Sequence, residues 1–75
     1  MTSNENPLKE GVVGSQIVRY FENLDGRVAV NAVSLGSAGK DQQDYEITFE
    51  SGISQGYRVT FGAQFPQIID AAPLN

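Results

Sequence analysis

The feature that most constrains this chain is a pair of alternating stretches, residues 44–51 (DYEITFES) and 56–62 (GYRVTFG). In the first, Tyr45, Ile47 and Phe49 point to one side and Asp44, Glu46, Thr48 and Glu50 to the other. In the second, Tyr57, Val59 and Phe61 oppose Arg58 and Thr60. A period of two marks a β-strand with one buried face. The joining segment, residues 51–56 (SGISQG), carries two glycines and two serines. The three together predict an antiparallel hairpin with one wet face and one aromatic, β-branched face. Arg58 is then placed to meet Glu46 or Glu50 across the strands.

An apolar sheet face must be covered. Residues 13–24 (VGSQIVRYFENL) offer the cover. On a helix Val13, Ile17, Tyr20, Phe21 and Leu24 share one side, while Gln16, Arg19, Glu22 and Asn23 face away. Ser15 can cap the start and Gly26 can take the left-handed position past the end. The same residues also read as a strand, because Asp25-Gly26 is a strong hairpin turn. In that case residues 16–23 are a fourth strand in an all-β barrel of SH3-like or OB-like size. The side-chain pattern favours the helix, since Gly26 serves either geometry.

Residues 27–35 (RVAVNAVSL) read as a strand, with Val28, Val30 and Ala32 on one face and Ala29, Asn31 and Val33 on the other. Ala29 and Val33 make that second face unusually apolar for a surface, which suggests a homodimer contact. A glycine-rich loop follows at residues 36–43. In residues 65–75 (FPQIIDAAPLN), Pro66 suits the first position of a short helical turn and Pro73 stops it. Ile68 and Ile69 then plug the edge of the sheet. The expected fold is α+β: one N-terminal helix on a three-stranded antiparallel meander, closed by a C-terminal helical turn.

With 75 residues, one domain spanning residues 12–75 is expected, preceded by a flexible polar tail over residues 1–11 with some order near Leu8. Its stability should follow the general scale of about 0.05–0.15 kcal/mol per residue. The chain has no cysteine and no histidine. Disulfides, thiolate metal sites, zinc centres and Ser-His-Asp triads therefore lose their usual participants. No metal or cofactor is expected. No residue run approaches a membrane span and the N-terminus lacks an apolar leader core, so a cytoplasmic protein with no membrane partner is expected.

The segment SLGSAGKD, residues 34–41, invites comparison with a phosphate-binding loop. Such a loop needs G-x-x-x-x-G-K-[ST] ahead of a helix. Here Ser34 stands where the first glycine belongs, Asp41 where the hydroxyl belongs, and a strand follows. The glycines are better read as turn residues. Asp41, Asp44 and Glu46 lack the convergent spacing of a calcium loop. Glu46 and Glu50 share a strand face without room for a glycosidase cleft. The helix-sheet-helix order resembles double-stranded RNA-binding domains in topology alone. Those domains need lysine clusters, whereas Lys9, Arg19, Arg27, Lys40 and Arg58 are scattered in a chain of net charge −4. No nucleic acid partner is expected.

What remains by subtraction is a small acidic, non-catalytic binding or accessory protein acting through protein–protein contact, as an assembly subunit or an inhibitor. The expected contact residues are Ile53, an apolar side chain in a polar turn that either folds back to cap the core or anchors a partner, with Gln55 beside it; Lys40 and Asp41 in the glycine-rich loop; and Arg58 on the wet face. An edge strand open to strand addition is a further contact surface. Two other readings stand beside this one: a small nucleic-acid-associated barrel, and a subunit of a shared enzyme site using Arg19, Tyr20, Arg58 and Asp70.

Overall fold

The computed structural model describes residues 6–75. A short 3-10 helix, Pro7–Glu10, leads into helix α1, Val12–Asp25. Four strands follow: β1 Ala29–Gly39, β2 Gln42–Phe49, β3 Ser54–Phe61 and β4 Ile68–Pro73. They form one antiparallel meander in the order β1-β2-β3-β4. The α+β reading holds, with four strands where three were expected. Among the described residues no helix is long and apolar enough to cross a membrane.

The helix forms where its apolar stripe predicts. Gly26 ends it at φ 82°, and its N–H donates to the carbonyls of Phe21 and Glu22. A side chain at that φ would be strained, so glycine is the apt residue. The start differs from expectation. Gly11 is the cap, and Ser15 lies inside the helix with its hydroxyl donating to the Val12 carbonyl at 3.0 Å. Ile17, Val18 and Phe21 are the buried residues, and Leu24 is 57% exposed. The buried stripe is thus rotated towards Val18.

The cause lies in the lead-in. Of the expected flexible tail, residues 1–5 lie outside the described residues. Asn6 donates from its side-chain amide to the Ala29 carbonyl at 2.7 Å and accepts from the Leu8 N–H at 3.1 Å. Leu8 packs on the core, and its carbonyl passes so close to Gly14 that a Cβ there would overlap it. The 3-10 helix therefore presses on one flank of α1 through the gap a glycine leaves.

The core face of the sheet carries Tyr45, Ile47 and Phe49 from β2 and Tyr57, Val59 and Phe61 from β3, all buried as the alternation requires. The rings of Phe49 and Tyr57 meet Phe21, edge-on at 5.1 Å and tilted at 5.0 Å respectively.

Strand β1 runs longer than its apolar stretch. It includes the glycine-rich segment expected to be a loop and ends in a two-residue turn, Lys40-Asp41. Its pairing with β2 shifts register three times, each shift inserting one extra residue: Val30, Leu35 and Ala38. Each insertion reverses which side the following residues face. Ala29 therefore stands opposite Phe49 on the core face at 0% exposure, while Val33 stands opposite Glu46 at 52%. The shared apolar face expected of Ala29 and Val33 is not formed, because the insertion of Val30 puts them on opposite sides.

The C-terminal segment corrects the sequence reading most. No helical turn forms; β4 pairs with β3 from Phe61↔Ile68 to Tyr57↔Pro73. Pro66 follows Phe65 through a cis peptide bond in the connecting loop. Pro73 closes an edge strand, where a missing N–H costs no ladder bond.

Candidate functional site

A cleft of about 410 Å³ lies between α1 and the start of β4. One helical stripe forms its wall: Gln16, Arg19, Tyr20, Asn23 and Leu24 stand at spacings of three and four. Gln67 and Ile68 form the other wall. Ile68 is fixed by its place opposite Phe61, and Tyr20 by an edge-on contact with Phe21 at 5.4 Å. The walls are thus set by the core. Their polar ends are unspent. The side chains of Gln16, Arg19, Tyr20, Asn23 and Gln67 make no hydrogen bond or ion pair among the described residues. Arg19 is the one charged group of the lining.

The expected contact residues lie elsewhere and apart. Ile53 is 64% exposed at the β2–β3 turn and does not fold back onto the core. Its carbonyl accepts from the Phe49 N–H at 2.8 Å, so the backbone is tied while the side chain projects. Gln55 follows it in β3, and its side-chain amide donates to the Gly56 carbonyl at 3.2 Å. Lys40 and Asp41 form the turn at the far end of β2, about 23 Å away at the usual strand rise. Asp41 has φ 62°. Arg58 sits on the open sheet face, where its guanidinium grips Asp44 through two bonds of 2.9 and 3.1 Å. It pairs with neither Glu46 nor Glu50, because the β2–β3 register sets Arg58 directly opposite Asp44. That pairing holds the Asp44 carboxyl below its usual range and raises the guanidinium.

The residues considered for a shared enzyme site are divided. Arg19 and Tyr20 line the cleft, whereas Arg58 and Asp70 lie on the opposite side of the sheet. Among the described residues no group of three or more metal-ligating side chains converges. Gly39-Lys40 opens a hairpin, with no helix N-terminus to receive a phosphate.

A second cluster surrounds Arg27. Its guanidinium carbon lies 4.5 Å from the ring centre of Phe49, 5.0 Å from Phe21 and 6.0 Å from Tyr57. One terminal nitrogen donates to the Tyr57 hydroxyl at 2.9 Å, and Nε donates to Asp25 at 2.8 Å. The hydrogen bond from Arg27 lowers the Asp25 pKa. This arginine is spent on its neighbours: it closes one end of the aromatic core rather than offering a charge to a ligand.

Sequence reasoning misses Gln16, Asn23, Leu24, Gln67 and Ile68 as site residues: the pattern reads Gln16 and Asn23 as an ordinary wet helix face, Leu24 as core, Gln67 as part of a helical turn and Ile68 as a plug at the edge of the sheet. The available signal was the stripe itself, three amide or cationic side chains flanking Tyr20 and Leu24.

Comparison with protein-family models, curated proteins and solved structures finds no match to this chain.

Proposed function

We propose that this chain is a small acidic binding protein that receives a protein partner in the α1–β4 cleft and carries out no chemistry of its own. The observation that carries the reading is the unspent polar rim over an apolar floor. Four hydrogen-bonding side chains without partners among the described residues, Gln16, Arg19, Asn23 and Gln67, flank Tyr20, Leu24 and Ile68. Such a combination of polar rim and apolar centre suits macromolecular contact. The cleft is open to solvent rather than enclosed. Small-ligand sites typically bury 70% or more of the ligand's surface. An extended segment of another protein fits a shallow trough better.

The test is site-directed photocrosslinking in the cells that make the protein. A benzophenone side chain is placed at Asn23 in the cleft and, separately, at Thr48 on the opposite sheet face. A discrete protein adduct at Asn23 and none at Thr48 supports the reading. No adduct at Asn23, or the same adducts at both positions, refutes it.

A further inference from the structure

We infer that the cleft selects an extended peptide segment in which an acidic side chain is flanked by aliphatic ones; this rests on the reading of the cleft as the partner site. Three features of the lining lead there. The first is charge. Arg19 is the sole ionised group in the cleft of a protein that is acidic overall. No carboxylate belongs to the lining: Asp44, Glu46 and Asp70 are on the far face of the sheet, Asp25 is beside Arg27, and Glu22, one helical turn from Arg19, borders the neighbouring hollow and makes no ion pair with it. The two other cations of the sheet and helix end, Arg27 and Arg58, are already in ion pairs. An incoming carboxylate therefore finds one unengaged guanidinium and no competing anion in the lining. Planar carboxylate recognition is what a guanidinium does best.

The second feature is the amides. Gln16 and Asn23 on one wall and Gln67 on the other each carry a donor and an acceptor. A main chain threaded between them presents the complementary N–H and C=O groups at regular spacing. Nucleic acid would use the arginine but needs further cations, and a single one gives little phosphate affinity.

The third feature is the floor. Leu24 and the Tyr20 ring continue into Ile68, so aliphatic side chains on either side of the acid can be buried there.

The experiment is an amide NMR titration of the whole protein with three blocked pentapeptides: Ser-Leu-Asp-Leu-Ser and its versions with Asn or Lys in the centre. The Asp peptide should shift the amides of Gln16, Arg19, Asn23 and Gln67. The Asn peptide should bind about fivefold more weakly, the loss of one charge-assisted bond. The Lys peptide should not bind. Arg19→Glu, a change on an exposed helix position, should reverse the order of the Asp and Lys peptides. Equal responses to all three peptides, no response to any, or shifts confined to another surface would overturn the inference. Its failure is separable from failure of the proposed function. A crosslinked partner at Asn23 with no peptide preference rejects this chemistry and leaves the cleft as partner site. An Asp preference with no crosslinked partner supports the chemistry and rejects its use in the cell.

Discussion

Replacing Arg27 by Met asks whether a guanidinium closes this core or only its hydrocarbon stem does. Methionine keeps an unbranched chain of similar reach and removes the charge and all donors. A cation over an aromatic ring contributes about 0.5–1 kcal/mol at an exposed site and about 2 when desolvated. The Arg27 side chain is 40% exposed, so a value near 1 kcal/mol is apt for the three rings together, roughly midway in that range. The hydrogen bond to Tyr57 adds about 1 kcal/mol. The Asp25 contact, out in solvent, is left uncounted. Arg27→Met should therefore cost about 2 kcal/mol. Arg27→Lys keeps a cation but cannot face the rings and hold Tyr57 together, so it should cost about 1 kcal/mol.

Against a total of about 4–11 kcal/mol for 75 residues these are large changes. The Met variant should melt about 8–16 °C lower. The assay is urea unfolding followed by circular dichroism, with linear extrapolation to water. Tyr57→Phe in the Met background should cost less than in the unaltered protein, because the bond it removes is already gone. The reasoning fails if Met equals Arg within about 0.3 kcal/mol, the accuracy of such comparisons. It also fails if Lys proves less stable than Met, since the charge would then be a burden.

Three further outcomes follow from the geometry. Gly14→Ala should lower stability by about 1–3 kcal/mol although alanine favours helix, because the new Cβ meets the Leu8 carbonyl; urea unfolding reads the sign, and a more stable variant would show that the 3-10 helix yields freely. Asp41→Asn should be nearly neutral, whereas Asp41→Val should lose about 1–3 kcal/mol, because φ 62° is tolerable for the first and strained for a β-branched residue; equal melting temperatures would contradict this. Hydrogen bonds from Arg27 and Arg58 lower the pKa of Asp25 and Asp44 in the fold. Their contribution is present above the unfolded carboxyl range, near pH 4, and is lost as pH falls through the lower folded values. The double variant Asp25→Asn, Asp44→Asn should flatten the acid limb of a stability–pH curve, and an unchanged limb would count against it.

The legible and illegible parts of this fold divide along a physical line. Strands β2 and β3 could be read because their register puts every second residue under α1, and the side chains follow that demand without interruption. The helix could be read for the same reason at another period. The C-terminal half of β1 and the whole of β4 carry no such imprint. Residues 34–39 are serine, glycine, alanine and leucine, held by backbone bonds to β2 rather than by burial. Extra residues break the alternation wherever it might have shown: Val30, Leu35 and Ala38 in β1, and Ile69 where β4 meets β3. Ile68-Ile69 looks like a helical plug because adjacent apolar residues cannot both face a core in an unbroken strand. The register shift between them sends Ile68 inward and leaves Ile69 57% exposed.

The candidate site illustrates the same line more sharply. Ile53, Lys40 and Asp41 drew attention because each is locally odd: an isoleucine in a polar turn, a lysine and an aspartate after glycine. Local oddity at the tip of a hairpin is explained by the hairpin, and the structure scatters these residues to opposite ends of β2. The cleft is assembled instead from unremarked residues that only the tertiary fold unites. Gln67 reaches α1 because β4 is a strand; as part of a helical turn it would have had no fixed relation to Gln16 or Asn23. Because α1 is rotated towards Val18, Leu24 leaves the core and comes to lie beside Ile68. The close approach of Leu8 to Gly14 accompanies that rotation and packs the opposite flank of the helix. The apolar floor of the cleft and the seat of the 3-10 helix are thus coupled. A change at Gly14 that lets the helix turn back would draw Leu24 inward and narrow the cleft without touching any residue that lines it.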